Sequence, residues 1–416
     1  MGDSGKAVRL VQFTDPHLGE NPGDRIRGID ADRGYLGAID HAREALAEAD
    51  GVMVTGDLTQ DVGEPAYPRV LQLESHTPAP IRVIPGNHDD AERMRTYFAQ
   101  GRTRMAPELS LGEWGIFFLD SSIPGQTQGR LDSATLGQLQ ELIHRSEMKH
   151  LLVVLHHHPV ATGCAWLDGL GLENGEALFE ILQSDARVQG VVWGHVHQEM
   201  DADYRGIRLL ATPSTCAQFA PGSDHFALDQ RLPGYRLIDL QPDGGIRTEV
   251  RRYHPQIREI VSGGQTGVDQ GGLEAALELG LPHGGWCPKG RRSEAGPIPA
   301  RFRLRETESE GYPKRTARNI EDSDGTLILS RGKLEGGTAL TARLAEERGK
   351  PLRVIDSGEP VELAAFEAWV ERNGIVRLNV AGPRESGSPG IQAETREVIK
   401  TLLTGVDARG EPVGIS

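Results

Sequence analysis

The chain has 416 residues with a formal net charge of −15, and its 38% hydrophobic and 25% charged content is that of a soluble globular protein. This length suits two domains better than one core. The acidic balance, with no lysine-arginine block, excludes a duplex nucleic-acid partner, which needs a basic face. No apolar run approaches the ~20 residues that cross a bilayer, so no membrane partner is expected. Met1–Lys6 has neither a basic start nor an apolar core, which argues against a signal peptide. Cys164, Cys216 and Cys287 are far apart and odd in number, and read as reduced, buried thiols of a cytoplasmic protein.

In chain order, strand-length apolar runs fall at Val8–Thr14, Val52–Thr55, Ile81–Ile84, Ile116–Leu119, Leu151–Leu155 and Val188–Trp193. Helical patterns at Ala38–Ala49 and Ser133–Arg145 lie between some of them. Ile207–Ala211 and Tyr235–Leu240 add strands that close this unit. Arg251–Arg258 contains Pro255 and little apolar character, which sets a domain boundary there: 1–254 and 255–416. The alternation then restarts. Ile257–Ser262 reads as a strand, Gly263–Gly267 as a glycine-rich turn and Asp269–Leu279 as a helix with Leu273, Ala276 and Leu277 at helical spacing. Strands follow at Thr326–Ser330, Leu352–Asp356 and Val376–Val380, and helices at Thr338–Arg348, Leu363–Arg372 and Gln392–Leu403. Gly382–Gly390, like Gly263–Gly267, lies between a strand and a helix. Strand–helix alternation implies an α/β fold in both halves, the second a mainly parallel sheet covered on both faces.

The first-unit strands run into a series of polar groups. They are Asp15-Pro16-His17, Gly56-Asp57, Gly86-Asn87-His88-Asp89, His156-His157-His158-Pro159 and Gly194-His195-Val196-His197. Ligands of α/β sheets collect beyond the carboxyl ends of strands, so these groups converge. A lone Asp-x-His is an ordinary loop; five such groups at strand exits are a site. Carboxylate, carboxamide and imidazole without thiolate suit manganese or iron, and zinc also fits. A single carboxylate such as Asp57 can bridge two ions, and such a pair polarises a phosphoryl group and activates water. The glycines before Asp57, Asn87 and His195 let the backbone turn beneath the ions.

That series resembles the calcineurin-like metallophosphoesterase signature. Within the superfamily, residues 8 to about 250 look like the class III cyclic nucleotide phosphodiesterases. The matching stretches are Leu151–Pro159, Gly163–Asn174, Gly194–Asp201 and Ala211–Phe219. The resemblance implies a β-sandwich flanked by helices and two divalent or trivalent metal ions. Asp15, His17, Asp57 and His197 would hold one ion; Asp57, Asn87, His156 and His195 would hold the other, with His157 the alternative to His156. His88 would sit beside the phosphate, to stabilise charge or protonate the leaving oxygen. The implied substrate is a small cyclic nucleotide, 3′,5′-cyclic AMP giving 5′-AMP, with 2′,3′-cyclic nucleotides or another small diester as the alternative. A homo-oligomer is compatible with all of this. Asp89, Asp120 and His225 read as structural, and Cys164 and Cys216 as packing residues.

Residues 258 to about 404 resemble the molybdenum carrier family, within the Rossmann-like nucleotide-binding domains that include the phosphoribohydrolases. The motifs are Val261–Gly267, Gly284–Gly290, Asp322–Ser330 and Gly336–Thr341. The implied fold is a doubly wound parallel sheet. Gly263, Gly264, Gln265, Thr266 and Gly267, with Gly336, Gly337 and Thr338, offer backbone N–H groups at helix N-termini, where an anion is favoured. The turn lacks the lysine of an ATPase P-loop. Thr341 stands where the phosphoribohydrolases place a catalytic glutamate, which argues against N-glycosidic hydrolysis. Nothing in the domain resembles a molybdenum ligand, Cys287 included. The domain would bind a nucleotide or phosphate, act as a sensor for the esterase, or consume its product.

Overall fold

A computed structural model describes residues 5–61 and 63–413, so the start of Met1–Lys6 lies outside the described residues. The chain divides into two compact units: Met1–Asp229 with Pro233–Arg251, and Gln230–Leu232 with Arg252–Ser416.

The first unit is built on two six-stranded sheets. One runs Ile246–Arg252, Gly234–Leu240, Val8–Phe13, Gly51–Thr55, Ile81–Ile84, Thr103–Arg104. The other runs Met200–Tyr204, Ile207–Ala211, Val188–Trp193, His150–Val154, Trp114–Phe118, Glu108–Leu111. Central strands pair in parallel, with Val11 opposite Val52 and Val54 opposite Val83 in one sheet, and Val153 opposite Val191 in the other. Strands buried on both faces carry unbroken apolar runs, and all five residues of Gly51–Thr55 are buried. Leu10, Met53 and Ile84 from one sheet pack with Ile116, Leu152, Val154 and Val192 from the other, making a sandwich core. Each such side chain contributes about 1.5–3 kcal/mol on burial. Ser133–Arg145 and Gly175–Leu182 cover an outer face through Leu139, Leu142, Leu178 and Phe179.

Two expectations change here. The helix expected at Ala38–Ala49 is two helices, Ala31–His41 and Arg43–Ala47, the first capped by Asp30, which accepts from the Arg33 N–H at 2.9 Å. Gly34 and Gly37 weaken its sequence signal. Gly34 is nonetheless required, because a Cβ there would lie 2.3 Å from the Thr215 carbonyl oxygen. Met200–Tyr204, Ile246–Arg252 and Glu108–Leu111 are strands that hydropathy did not mark: all are outermost in their sheets, where polar side chains are tolerated.

The second unit holds a five-stranded sheet in the order His283–Gly284, Glu259–Val261, Arg377–Ala381, Gly325–Ser330, Leu352–Asp356, all pairs parallel. Val268, Ala275 and Ala276 of helix Val268–Glu278 pack with Ile391, Ile399 and Leu402 of helix Ile391–Thr404 against Leu327, Leu378 and Val380. Of the helically spaced apolar residues, Leu273 and Ala276 are buried with Ala275, and Leu277 is 38% exposed. Glu259–Val261 pairs with Arg377–Ala381, so the turn at 263–267 neighbours the loop at 382–390. Gly336–Thr338 follows Gly325–Ser330, one strand further along the sheet. Among the described residues, no helix is long and apolar enough to cross a membrane.

Candidate functional site

In the first unit, the strand exits are tied to one another by backbone hydrogen bonds. The Asp15 N–H donates to the Gly56 carbonyl at 3.1 Å, His17 to Asp57 at 2.9 Å, and Gly194 to His156 at 3.2 Å. Asp15, His17, Asp57, His195 and His197 all adopt left-handed backbone, with φ between 47° and 63°. A non-glycine residue there is strained, and five such residues in one cluster mark a functional site. The preceding glycines serve different ends. Gly56 itself has φ 98°. At Gly86 and Gly194 the need is close approach: an added Cβ would lie 2.1 Å from Asp57 Oδ1 and 2.0 Å from Thr14 Oγ1, respectively.

Hydrogen bonds on the far side of each ring fix which nitrogen faces inward. His156 Nδ1 donates to the Thr55 carbonyl and His197 Nδ1 to the Ala217 carbonyl, each at 2.8 Å. His17 Nδ1 meets Gln60 Oε1 at 2.8 Å. Carbonyl oxygens only accept, so these Nδ1 atoms carry the hydrogens and each Nε2 presents a lone pair. His17 Nε2 and His197 Nε2 then face each other at 3.1 Å. His197 Nε2 is 3.3 Å from Asp15 Oδ1, and His156 Nε2 is 3.3 Å from Asp57 Oδ2. His156 Nε2, His195 Nε2 and Asn87 Oδ1 are buried without a hydrogen-bond partner. Opposed lone pairs beside buried carboxylates repel unless a cation lies among them, and this donor set fits metal ions. Three groups bring ligand atoms within reach of one another: Asp15, His17 and His197; Asp15, Asp57 and His156; and His156, His157 and His195. His157 is the least available of these. Its Nδ1 lies 2.8 Å from Ser121 Oγ and its Nε2 3.2 Å from the Thr127 carbonyl.

The electrostatics follow from burial. Burial works to raise Asp57, but His156, His17 and His88 hold it well below the usual carboxylate range. Burial works to raise Asp15 too, and His197 and His156 bring it down. Burial pushes His17 down to about 4 and His195 well below the usual imidazole range. His156 moves the other way: burial lowers it, but Asp57 and Asp15 outweigh that and raise it to about 9.

His88 lies at the rim. Its backbone N–H donates to Asp57 Oδ1 at 2.9 Å, and its ring sits edge-on to His17 at 5.0 Å. Its Nδ1 is 3.0 Å from Asp61 Oδ1 and 3.2 Å from Gln60 Nε2. Gln60 and Asp61 were not singled out in the sequence, although both follow Asp57 within one turn of chain. Gln60 holds both His17 and His88. Asp89 is structural, accepting N–H bonds from Leu58, Thr59 and Gly86, and burial raises it to about 6. Asp120 takes the Arg95 guanidinium at 2.6 Å. All three cysteines are buried and free.

In the second unit, the N–H groups of Gln265, Thr266 and Gly267 already have acceptors: Asp269 Oδ2 at 3.2 Å, Gln265 Oε1 at 3.0 Å and Gln392 Oε1 at 3.2 Å. Arg315 pairs with Asp269 at 3.0 Å and lays its guanidinium against Gly263, where an added Cβ would push it aside. Gly267 has φ 84° and packs on the Pro383 carbonyl. The Thr266 hydroxyl donates to Glu294, whose carboxylate also accepts from the Ser386 hydroxyl and, at 3.1 Å, the Ser386 N–H. The two glycine loops thus converge on the exposed Glu294 carboxylate. Thr338 is buried one strand away.

Residues 8–199 match the calcineurin-like phosphoesterase family, and residues 260–403 match the circularly permutated YpsA SLOG family. A 3′,5′-cyclic adenosine monophosphate phosphodiesterase, CpdA, of Pseudomonas aeruginosa is 38% identical over 254 residues, which are 61% of this chain and 93% of that protein. The Escherichia coli K12 protein of the same name is 37% identical over 246 residues, 59% of this chain and 90% of that one. A crystal structure of a molybdenum carrier protein from Syntrophus aciditrophicus is 42% identical and covers 36% of this chain and 98% of its own, with a TM-score of 0.35.

Proposed function

Because the chain belongs to the calcineurin-like phosphoesterase family and is a metal-dependent phosphodiesterase, we propose that it hydrolyses 3′,5′-cyclic AMP to 5′-AMP. The observation that carries the metal chemistry is the inward-facing set of Nε2 atoms beside Asp15 and Asp57. Asp15, His17, Asp57 and His197 would hold one ion, and Asp57, Asn87, His156 and His195 the other. Both ring nitrogens of His157 already have partners, which favours His156 as the ligand. When bound, the ions, manganese or iron with zinc also fitting, supply the Lewis acidity that polarises a phosphoryl group and activates water.

The protein's own groups supply placement and proton handling. Asp57 accepts the His88 N–H and so fixes the rim against the cluster. His88 Nδ1 donates to Asp61 Oδ1 in one tautomer or accepts from Gln60 Nε2 in the other, and either bond leaves the second ring nitrogen for a substrate oxygen. From there His88 can stabilise charge on phosphorus or give a proton to the leaving 3′-oxygen. The substrate rests on the cyclic AMP phosphodiesterases that match over nine-tenths of their length. Product analysis on the manganese-loaded chain tests it. Release of 5′-AMP supports the reading. Action on 2′,3′-cyclic nucleotides alone, giving 2′- or 3′-monophosphates, would replace it with the second reading.

For the Rossmann-like second unit we propose nucleotide or phosphate binding at the 263–267 turn. The support is the clustering there of Thr266 and Ser386 on the exposed Glu294 carboxylate, with the Arg315 guanidinium held beside the turn by the buried Asp269. Tethering it to an esterase that releases a nucleoside monophosphate raises the local concentration of that product. Reduced, buried cysteines suit a cytoplasmic location, and a homo-oligomer is compatible with the fold.

A further inference from the structure

Gly163–Asn174 and Ala211–Phe219 supply none of the proposed metal ligands, yet they meet beside one. The Phe219 ring lies flat on His197, with centroids 4.1 Å apart and 4° between planes. Trp166 sets its ring edge-on against Phe219 at 5.1 Å and against Phe226 at 5.3 Å. Phe219 and Phe226 meet at 5.6 Å. The loop that carries Phe226 is closed by the Phe219–Leu228 bridge and by the Ala220 N–H to Ala227 carbonyl bond at 2.9 Å. The Cys164 thiol, at the start of the Trp166 segment, donates to the Ser223 carbonyl at 3.2 Å. A continuous ring stack therefore starts at His197 and ends at Phe226, which is 45% exposed.

Arg27 lies on that outer ring, its guanidinium carbon 4.9 Å from the Phe226 centroid. It is exposed, has left-handed backbone with φ 53°, and makes no hydrogen bond or ion pair among the described residues. Trp166 Nε1 is buried without a partner. A strained, unpaired arginine over an exposed aromatic face gains little for the fold. It is, however, the pair of surfaces that holds a planar heterocycle, because aromatic rings and guanidinium planes both stack on bases.

We propose that Phe226 and Arg27 form the nucleobase subsite: the purine of the cyclic nucleotide takes the guanidinium's place on the exposed Phe226 ring, with Arg27 swung onto the far face of the base, while its phosphodiester faces the metal centre. This rests on the cyclic nucleotide reading above. One ring, Phe219, stacked on His197 and edge-on to Phe226, separates Phe226 from His197. Stacking selects for a flat base and favours a purine over a smaller pyrimidine. It leaves the 2′-hydroxyl unread.

The test uses the full chain loaded with Mn²⁺, with bound metal counted in every variant. In wild type, 5′-AMP should bind more tightly than ribose 5-phosphate by calorimetry. Phe226→Ala should raise KM for 3′,5′-cyclic AMP about tenfold or more, the usual worth of one stacked base. It should also collapse the preference for 5′-AMP over ribose 5-phosphate. Phe226→Tyr should restore both, and Arg27→Ala should give a smaller loss of the same kind. If wild type turns over cyclic AMP and Phe226→Ala changes neither KM nor that preference, the subsite is wrong. Loss of metal in Phe226→Ala would make the ring a support for His197 and overturn it too. If wild type neither hydrolyses cyclic AMP nor prefers 5′-AMP, the cyclic nucleotide reading itself fails, and the subsite falls with it.

Discussion

At the strand exits of the first unit, the Nε2 atoms of His17, His156 and His197 face carboxylates and one another. At the 263–267 turn of the second unit, each N–H from Gln265 to Gly267 already has a side-chain acceptor, and Glu294 fills the approach. Both regions lie beyond the carboxyl ends of parallel strands, where ligands gather. They differ in what is left unsatisfied. Buried polar groups without partners cost folding free energy, so a cluster of them identifies the missing ligand by its charge. A site that satisfies itself names no ligand, because any anion must first displace the protein's own groups.

The sharpest way to break this contrast is to remove the residue shared by both proposed ions. Asp57→Ala should lower bound metal from both positions and take phosphodiesterase turnover to background, read by elemental analysis and product release together. Near-wild-type turnover would end the bridging role. His88→Ala should separate chemistry from binding: metal retained, turnover down about 10²–10⁴-fold. Loss of metal would instead make His88 a ligand.

A milder perturbation is pH. In the metal-free chain, Asp57 and Asp15 overcome burial and hold His156 up to about 9. Its folded value is raised, so the protonated ring stabilises the metal-free fold below the ordinary imidazole range, and that contribution is lost as pH rises through about 9. A metal requires the neutral ring, so uptake at neutral pH should release a proton and apparent affinity should climb with pH until about 9. Calorimetry in buffers of different ionisation enthalpy reads this directly; no proton release would contradict it. The smallest expected effect is at the self-satisfied site. Glu294→Gln removes the anion held by Thr266 and Ser386 and should tighten inorganic phosphate or 5′-AMP binding to the second unit a few-fold, about 1 kcal/mol. Weaker binding would show that Glu294 belongs to the ligand site rather than blocking it.

The same contrast explains what could be read from the sequence. Strands such as Gly51–Thr55 are buried on both faces and carry unbroken apolar runs, so their exits, and the polar groups gathered there, were legible. Edge strands such as Met200–Tyr204 carry no such run and were not. The tautomers of His17, His156 and His197 depend on Gln60 and on the backbone carbonyls of Thr55 and Ala217, partners that no spacing encodes. In the second unit the glycines of 263–267 were visible. Their neighbour was not: strand order places Ser386, rather than Thr338, beside Thr266, and order is set by a crossover that local sequence does not record.

The most direct test of the account is metal stoichiometry coupled to turnover. The full chain, stripped with chelator and dialysed, should show no phosphodiesterase activity. On titration with Mn²⁺ it should regain activity in step with two ions bound per chain. Full turnover in the stripped protein, or a single ion sufficing for maximal rate, would contradict it.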